Sequence, residues 1–425
     1  MNKVLLNTVN LDGGYIIKKG SGGGNSGGGG SSSGGGSDMP VIGDGKTYFY
    51  ITIDDVGVEV SLKLSSAKGV TIDWGDGSDM VSVNTSYPTL THFYSSKGNY
   101  IISFEVENYI TFGYGENATC VVGSTKDSNV ANRNVLRKVE IGQRARLNSY
   151  AFLKCYSLTS VVISQGMTEI PYQAFTDCCS LTSVVIHQGV TSIASYAFQR
   201  CYSLSSVVIP QGVTSIGESA FTECYSLTSV VIPQGMTSIG GSAFAGCYSL
   251  TSVVIPQGVT SIGESAFASC YSLTSVVIPQ GMTSIGGSAF AGCYSLTSVV
   301  IPQGMTEIPY QAFYFCYSLT SVVIPQGVTR IGGSAFYRCY PLTSVVIPQG
   351  MTSIGSKAFY YCYGITLYDF RAVNSVVSLS SADAISTSYS NYKIVVPDAL
   401  YDEWIAATNW SSYASHIVKA SEFNG

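Results

Sequence analysis

Ten cysteines recur at a fixed 23-residue interval, at positions 155, 178, 201, 224, 247, 270, 293, 316, 339 and 362. Evenly spaced thiols could form disulfides, bind a metal or pack inertly. Each of these sits close to a phenylalanine and a leucine, which points to reduced thiols packed in a core. Disulfides between neighbouring repeats are the alternative. No Cys-x-x-Cys pair occurs, and Cys178-Cys179 is a vicinal pair in one repeat, so the spacing does not suit zinc. The residue after the cysteine is tyrosine at Tyr156, Tyr202, Tyr225, Tyr248, Tyr271, Tyr294, Tyr317, Tyr340 and Tyr363, and only Cys179 breaks the series. Tyrosine joins a large rigid ring to a polar tip, which suits recognition of protein or glycan. His92, His187 and His416 are scattered, and His187 merely replaces the proline of its repeat. No nucleophile motif, phosphate loop, metal-ligand spacing or carboxylate pair for glycoside cleavage is present. The chain is expected to be no enzyme and to need no cofactor or metal.

The element that must position these residues is the repeat itself. In Cys247–Ser269, Leu250, Val253 and Ile255 follow the pattern Leu-x-x-Val-x-Ile, and Val253 and Ile255 share one face of a short strand. Pro256 cannot donate to a ladder and suits the strand's end. Gln257-Gly258 turns the chain, and the recurring glycine fits a position with positive φ. Val259, Ile262, Ala266 and Phe267 bring apolar surface back along an irregular or short helical return. Ten phenylalanines keep the same spacing from 152 to 359. A single coil cannot bury enough surface to offset its ordering, so stacking into a parallel solenoid must supply the rest. Ser160, Val162 and their copies form a second outward row, and exposed valines in a line are uncommon. The plainer reading is that both rows pack within the coil or copy a duplicated unit.

The motif Ala-Phe-x-x-Cys-x-x-Leu-x-x-Val-x-Ile-Pro, seen at 243–256 and in most other copies, resembles the BspA-like leucine-rich repeats of bacterial surface proteins. That resemblance implies a solenoid used for adhesion or recognition. Charged residues are only 11% and the net charge is −5, which argues against nucleic acid as a partner. No apolar run is long enough for a transmembrane helix, so membrane insertion is not expected.

The fold expected is mixed and β-rich: a leucine-rich-repeat solenoid with a parallel sheet over residues 136–370, preceded by a small immunoglobulin-like β-sandwich over 41–118. Residues 1–19 read as an anchoring segment, too short and polar for the apolar part of a signal peptide. Residues 20–40 read as a glycine- and serine-rich flexible linker. Strands are expected at 48–53, 58–64, 69–74 and 99–106. Asp73-Trp-Gly-Asp-Gly-Ser with His92-Phe-Tyr resembles the PKD family of immunoglobulin-like modules, which implies a spacer. Asp73, Asp76 and Asp79 also allow calcium, but Gly-Asp-Gly is first a turn sequence. Leu136-x-x-Val-x-Ile is a first coil one residue out of step, and its three nearby arginines, Arg137, Arg144 and Arg146, suit a cap. After Cys362 the pattern decays, with Ile365, Tyr368 and Phe370 in the core positions. Residues 371–425 read as a strand-helix cap, with Tyr392–Pro397 as its last strand, a helix from Asp398, and Trp404, Trp410 and Tyr413 closing the core. The ending also resembles segments found on such repeat proteins in gut Bacteroidetes and their phages; the two tryptophans as a sugar platform is the sharper alternative.

Two functional expectations follow. One is a phage virion appendage, tail or head fibre-like, that binds a host surface protein or glycan and joins other virion proteins through residues 1–19. The other is a bacterial cell-surface adhesin. A homo-oligomer is compatible with both.

Overall fold

A computed structural model describes residues 45–113, 135–385 and 391–423. The anchoring segment 1–19, the linker 20–40 and most of the join at 115–135 lie outside the described residues. The chain forms two compact units, Met1–Met167 and Thr168–Gly425.

In the first unit, β1 (Thr47–Ile53), β2 (Val58–Asp73), β3 (Val81–Ser86), β4 (Thr89–Tyr94) and β5 (Gly98–Phe112) pair antiparallel. The two strands expected at 58–64 and 69–74 are one bent strand of 16 residues. Its register against β5 shifts between Leu64 and Ser66 and again between Lys68 and Val70. Gly69 sits between them at φ +57, a conformation that costs glycine little. The first half of β2 pairs with β4 and the second with β3 and β5.

The repeat begins in the same unit, at β6 (Leu136–Ile141), β7 (Ala145–Leu147) and β8 (Ser160–Ile163). β6 runs parallel to β8 with Val139 opposite Val161, a step of 22 residues, and antiparallel to β1. β1 is therefore paired along both edges, and it is almost wholly buried. Phe49 lies 4.9 Å from Phe104 and 5.8 Å from Phe152, the first phenylalanine of the repeat. The buried Glu140 carboxylate is satisfied by Tyr50 Oη at 3.1 Å and Lys138 Nζ at 2.6 Å. The antiparallel module thus seals the end of the first coil.

The second unit is a stack of 23-residue coils. Ser252–Val254 pairs parallel with Ser229–Val231 and with Ser275–Val277, each residue opposite its own copy. A second, two-residue ladder runs through Ser261–Ile262. The return expected to be irregular or helical is a run of turns in which N–H groups reach back three residues, as from Ala266 to Gly263 and Cys270 to Phe267. It carries a third intercoil ladder, with Phe267 N–H donating to the Ala289 carbonyl at 2.9 Å. Leu250, Val253, Ile255, Val259, Ile262, Ala266, Phe267 and Cys270 are all buried. Phenylalanine rings from 175 to 359 stack on their own copies, with centroids 5.2–5.7 Å apart.

The glycine of the Gln-Gly turn was expected at positive φ, and Gly166 is. In the second unit Gly212, Gly258 and Gly304 are not. Glycine serves there because a side chain would approach the preceding coil: a Cβ on Gly304 would lie 2.9 Å from the Met282 carbonyl oxygen. Positive φ falls elsewhere in each coil, as at Ser265 and Ser269.

Past Cys362 the step lengthens, with Ser353 opposite Ser378 and Leu367 opposite Lys393. Lys393–Val396 is not the last strand, since Ile417–Lys419 pairs with it. Between them a short turn of helix, α1 (Tyr401–Ala406), carries Trp404 inward. Trp404 and Trp410 sit 5.1 and 5.3 Å from Phe370, and Trp410 Nε1 donates to the Val377 carbonyl at 2.6 Å. Both indoles are fully buried, which overturns the sugar-platform alternative: no ring face is left for a ligand.

Candidate recognition surface

The eleven cysteines among the described residues are free thiols, and the repeat thiols are buried. Each Sγ in the second unit from Cys201 onward points at the phenylalanine carbonyl of the coil before it, as Cys270 does at Phe244 oxygen, 3.3 Å away. Burial pushes the Cys247 and Cys293 thiols up to about 12. They are packing groups, with no thiolate to offer near neutral pH.

The histidines are used locally. His92 Nε2 meets Asp76 Oδ2 at 2.8 Å and stacks on Trp74 at 4.8 Å. Asp73 and Asp76 accept N–H groups of Gly75 and Ser78, the work of a turn, and Gly75 and Gly77 take positive φ there. Burial alone would raise the Asp76 carboxyl, but hydrogen bonds from Ser78 and His92 hold it below the usual range. His187 Nδ1 accepts Gly189 N–H, and His416 stacks on Tyr392.

Eight of the nine candidate tyrosines occupy one row in the second unit. Tyr202, Tyr225, Tyr248, Tyr271, Tyr294, Tyr317, Tyr340 and Tyr363 stack nearly parallel, with successive centroids 4.5–5.6 Å apart. Tyr156, in the first unit, is half-buried like the rest. The expectation was rings facing outward. Instead each inner ring of the column spends both faces on its neighbours and leaves an edge outward, and the hydroxyls of Tyr248 and Tyr294 hydrogen-bond to neighbouring tyrosines of the row. Tyr225 Oη donates to Glu223 at 3.0 Å. Such a row can hydrogen-bond a partner, but it has few free faces on which to stack one.

The valine row does face outward. Val185, Val208, Val231, Val254, Val277, Val300, Val323 and Val346 are 51–72% exposed. Alternation along the strand forces this, because Val253 and Ile255 point in and Val254 cannot.

One cluster was missed from the sequence. In most coils the two residues before the cysteine are small or polar, as in Ala245-Gly246 and Ala268-Ser269. In three successive coils they are Tyr314-Phe315, Tyr337-Arg338 and Tyr360-Tyr361. Beside Tyr317, Tyr340 and Tyr363 they form a three-by-three array with Arg338 at its centre. The Arg338 guanidinium lies over the Phe315, Tyr361 and Tyr337 rings at 5.2, 5.3 and 5.5 Å. Tyr314 and Tyr360 flank Tyr337 at 5.0 and 6.0 Å. Reading the two columns down the copies, rather than along the chain, would have exposed it.

Comparison with known proteins bears on these coils. No protein with a curated description matches the chain. Among solved structures, a leucine-rich-repeat protein from T. pallidum is 28% identical with a TM-score of 0.38, covering 44% of this chain and 82% of that one. A leucine rich cell surface protein from Faecalibacterium prausnitzii is 27% identical, with a TM-score of 0.37, covering 67% and 95%. A leucine-rich-repeat protein from Bacteroides ovatus is 22% identical, with a TM-score of 0.37, covering 74% and 99%. The family described as BspA type leucine rich repeat region matches residues 145–274 and 237–366. With those spans taking in more than half of its 425 residues, the chain belongs to the BspA-type leucine-rich-repeat family.

Proposed function

We propose that this protein is a cell-surface recognition protein, an adhesin of the BspA-like kind, that acts by binding and not by catalysis. The observation that carries this reading is the outward row of eight valines, each at least half exposed. An unbroken apolar row on a sheet face costs solubility and marks a surface built for contact. Membership of the BspA-type family favours the bacterial surface over a virion; the virion reading, with its partners at residues 1–19, rests on residues outside those described. The partner is a surface protein or a glycan, and the tyrosine column is its hydrogen-bonding edge. The antiparallel strands β1–β5 are a PKD-like, immunoglobulin-like module. Their pairing with β6 suits an end cap better than a free spacer.

The test is to label intact producing cells with an antibody to the coils, before and after protease shaving. Surface label removed by shaving is the expected result. Label that appears only after lysis, or only on purified virions, contradicts it.

A second test concerns the tyrosines. Changing Tyr225, Tyr248 and Tyr271 together to Ser breaks the four stacked contacts from Tyr202 to Tyr294. At roughly 0.5–1.5 kcal/mol each, this should cost at least about 2 kcal/mol of stability and weaken attachment. The Phe triple keeps the stack and loses only hydroxyls, so its melting should be unchanged while attachment still falls. Undiminished attachment by the Phe triple removes the hydroxyl row from the site.

A further inference from the structure

We infer that the array centred on Arg338 is a binding site for an acidic glycan, one whose sugar units carry carboxylates. Three observations lead there. First, Arg338 lies over three aromatic rings, with Phe315 and Tyr361 supplied by the coils before and after its own. The rings cover the guanidinium, and the Tyr317 hydroxyl takes one of its N–H groups, which leaves the others to meet a carboxylate. Secondly, the charge is uncompensated within the protein. No ion pair among the described residues includes Arg338. The groups that act on it are the hydroxyls of Tyr317, Tyr337 and Tyr340. A cation over aromatic rings with no acid beside it is complementary to an anion. Thirdly, aromatic residues enter these two columns in three successive coils and in no other; Arg200, at the position equivalent to Arg338, lies among acids instead, beside Asp177 and Glu223.

Size selects the class of ligand. All nine side chains are half-buried, so together they expose on the order of a few hundred Å2, short of the roughly 800 Å2 per partner of a stable protein interface. Seven of the nine are tyrosines, which present hydroxyls to sugar oxygens. The ring edges and the charge then suit a short stretch of uronic acid chain, held weakly and selected by its carboxylates.

The inference rests on the recognition role proposed above, yet the two can fail separately, because cell labelling reads location and calorimetry reads this ligand. Full-length protein is titrated with a tetramer of galacturonic acid, with the neutral galactose tetramer, and with hexaglutamate. The acidic sugar should bind at least roughly tenfold more tightly than the neutral one. Arg338→Gln should erase that difference. Arg338→Lys should not restore it, because the ammonium is not a planar fork. Tyr361→Ala, which uncovers one face, should weaken the acidic sugar without changing the neutral one. Thermal melts like the parent's establish that each variant is folded. Equal binding of the two sugars, no binding of the acidic one at millimolar concentration, or unchanged binding by Arg338→Gln overturns the inference. Binding of hexaglutamate in preference to the sugar assigns the site to acidic peptide and overturns it too.

Discussion

Replacing Phe267 by Asp is expected to abolish the cooperative melting of the coils. The Phe267 ring is fully buried between Phe244 and Phe290, at 5.5 and 5.6 Å. Its backbone is committed on both sides, its N–H to Ala289 and its carbonyl to the Cys293 thiol. Removing such a ring costs about 3–5 kcal/mol, and an unpaired carboxylate in its place adds several more. The sum rivals the whole stability of an ordinary domain, about 5–15 kcal/mol. Phe267→Leu keeps an apolar group and should cost only about 1–2 kcal/mol. Circular dichroism melts with limited proteolysis distinguish the two: the Asp variant should be cut within the coils at temperatures where the Leu variant resists. An unchanged melting curve for Phe267→Asp contradicts the buried ladder.

The second large effect is on alkaline stability. Burial drives the Cys247 and Cys293 thiols up to about 12 and puts Cys201, Cys224, Cys270, Cys316 and Cys339 well above their ordinary value. In the unfolded chain the same thiols ionise near 9.0. Above that pH the unfolded state sheds protons that the folded state keeps. Stability is therefore intact below pH 9 and falls as pH rises toward about 12. Each thiol contributes at most about 1.4 kcal/mol per pH unit, and the contributions share one sign. Tyr225, raised by burial and by its bond to Glu223, acts in the same direction. The melting temperature should drop steeply between about pH 9 and 11. Cys247→Ala with Cys293→Ala should start lower at neutral pH and decline with a shallower slope. A flat profile up to pH 11 contradicts thiols held protonated in the core.

The period of the coil was readable because cysteine and phenylalanine each return every 23 residues, and burial obeys that count in every copy. Strand polarity was readable for the same reason: Val253 and Ile255 are two apart. The glycine at 258 misled, since glycine answers both positive φ and close approach, and only neighbouring coils tell which applies. The bend in β2 hid its continuity, because Ser65 to Gly69 reads as a turn. The tyrosines were found as a column, but sequence carries no ring orientation, so their stacking was not. Arg338 was invisible for a related reason: its partners Phe315 and Tyr361 lie 23 residues away on either side and meet it only after stacking.

The in-register ladders have a consequence for how such a chain varies between siblings. Thr260 N–H donates to the Thr237 carbonyl as Thr283 does to Thr260, so these two seams are interchangeable. Excising one whole period closes the gap with the same donors and acceptors that were there before. Unequal crossing-over between near-identical gene segments can thus lengthen or shorten the array in single-coil steps, changing reach and the number of exposed valines while both ends stay sealed.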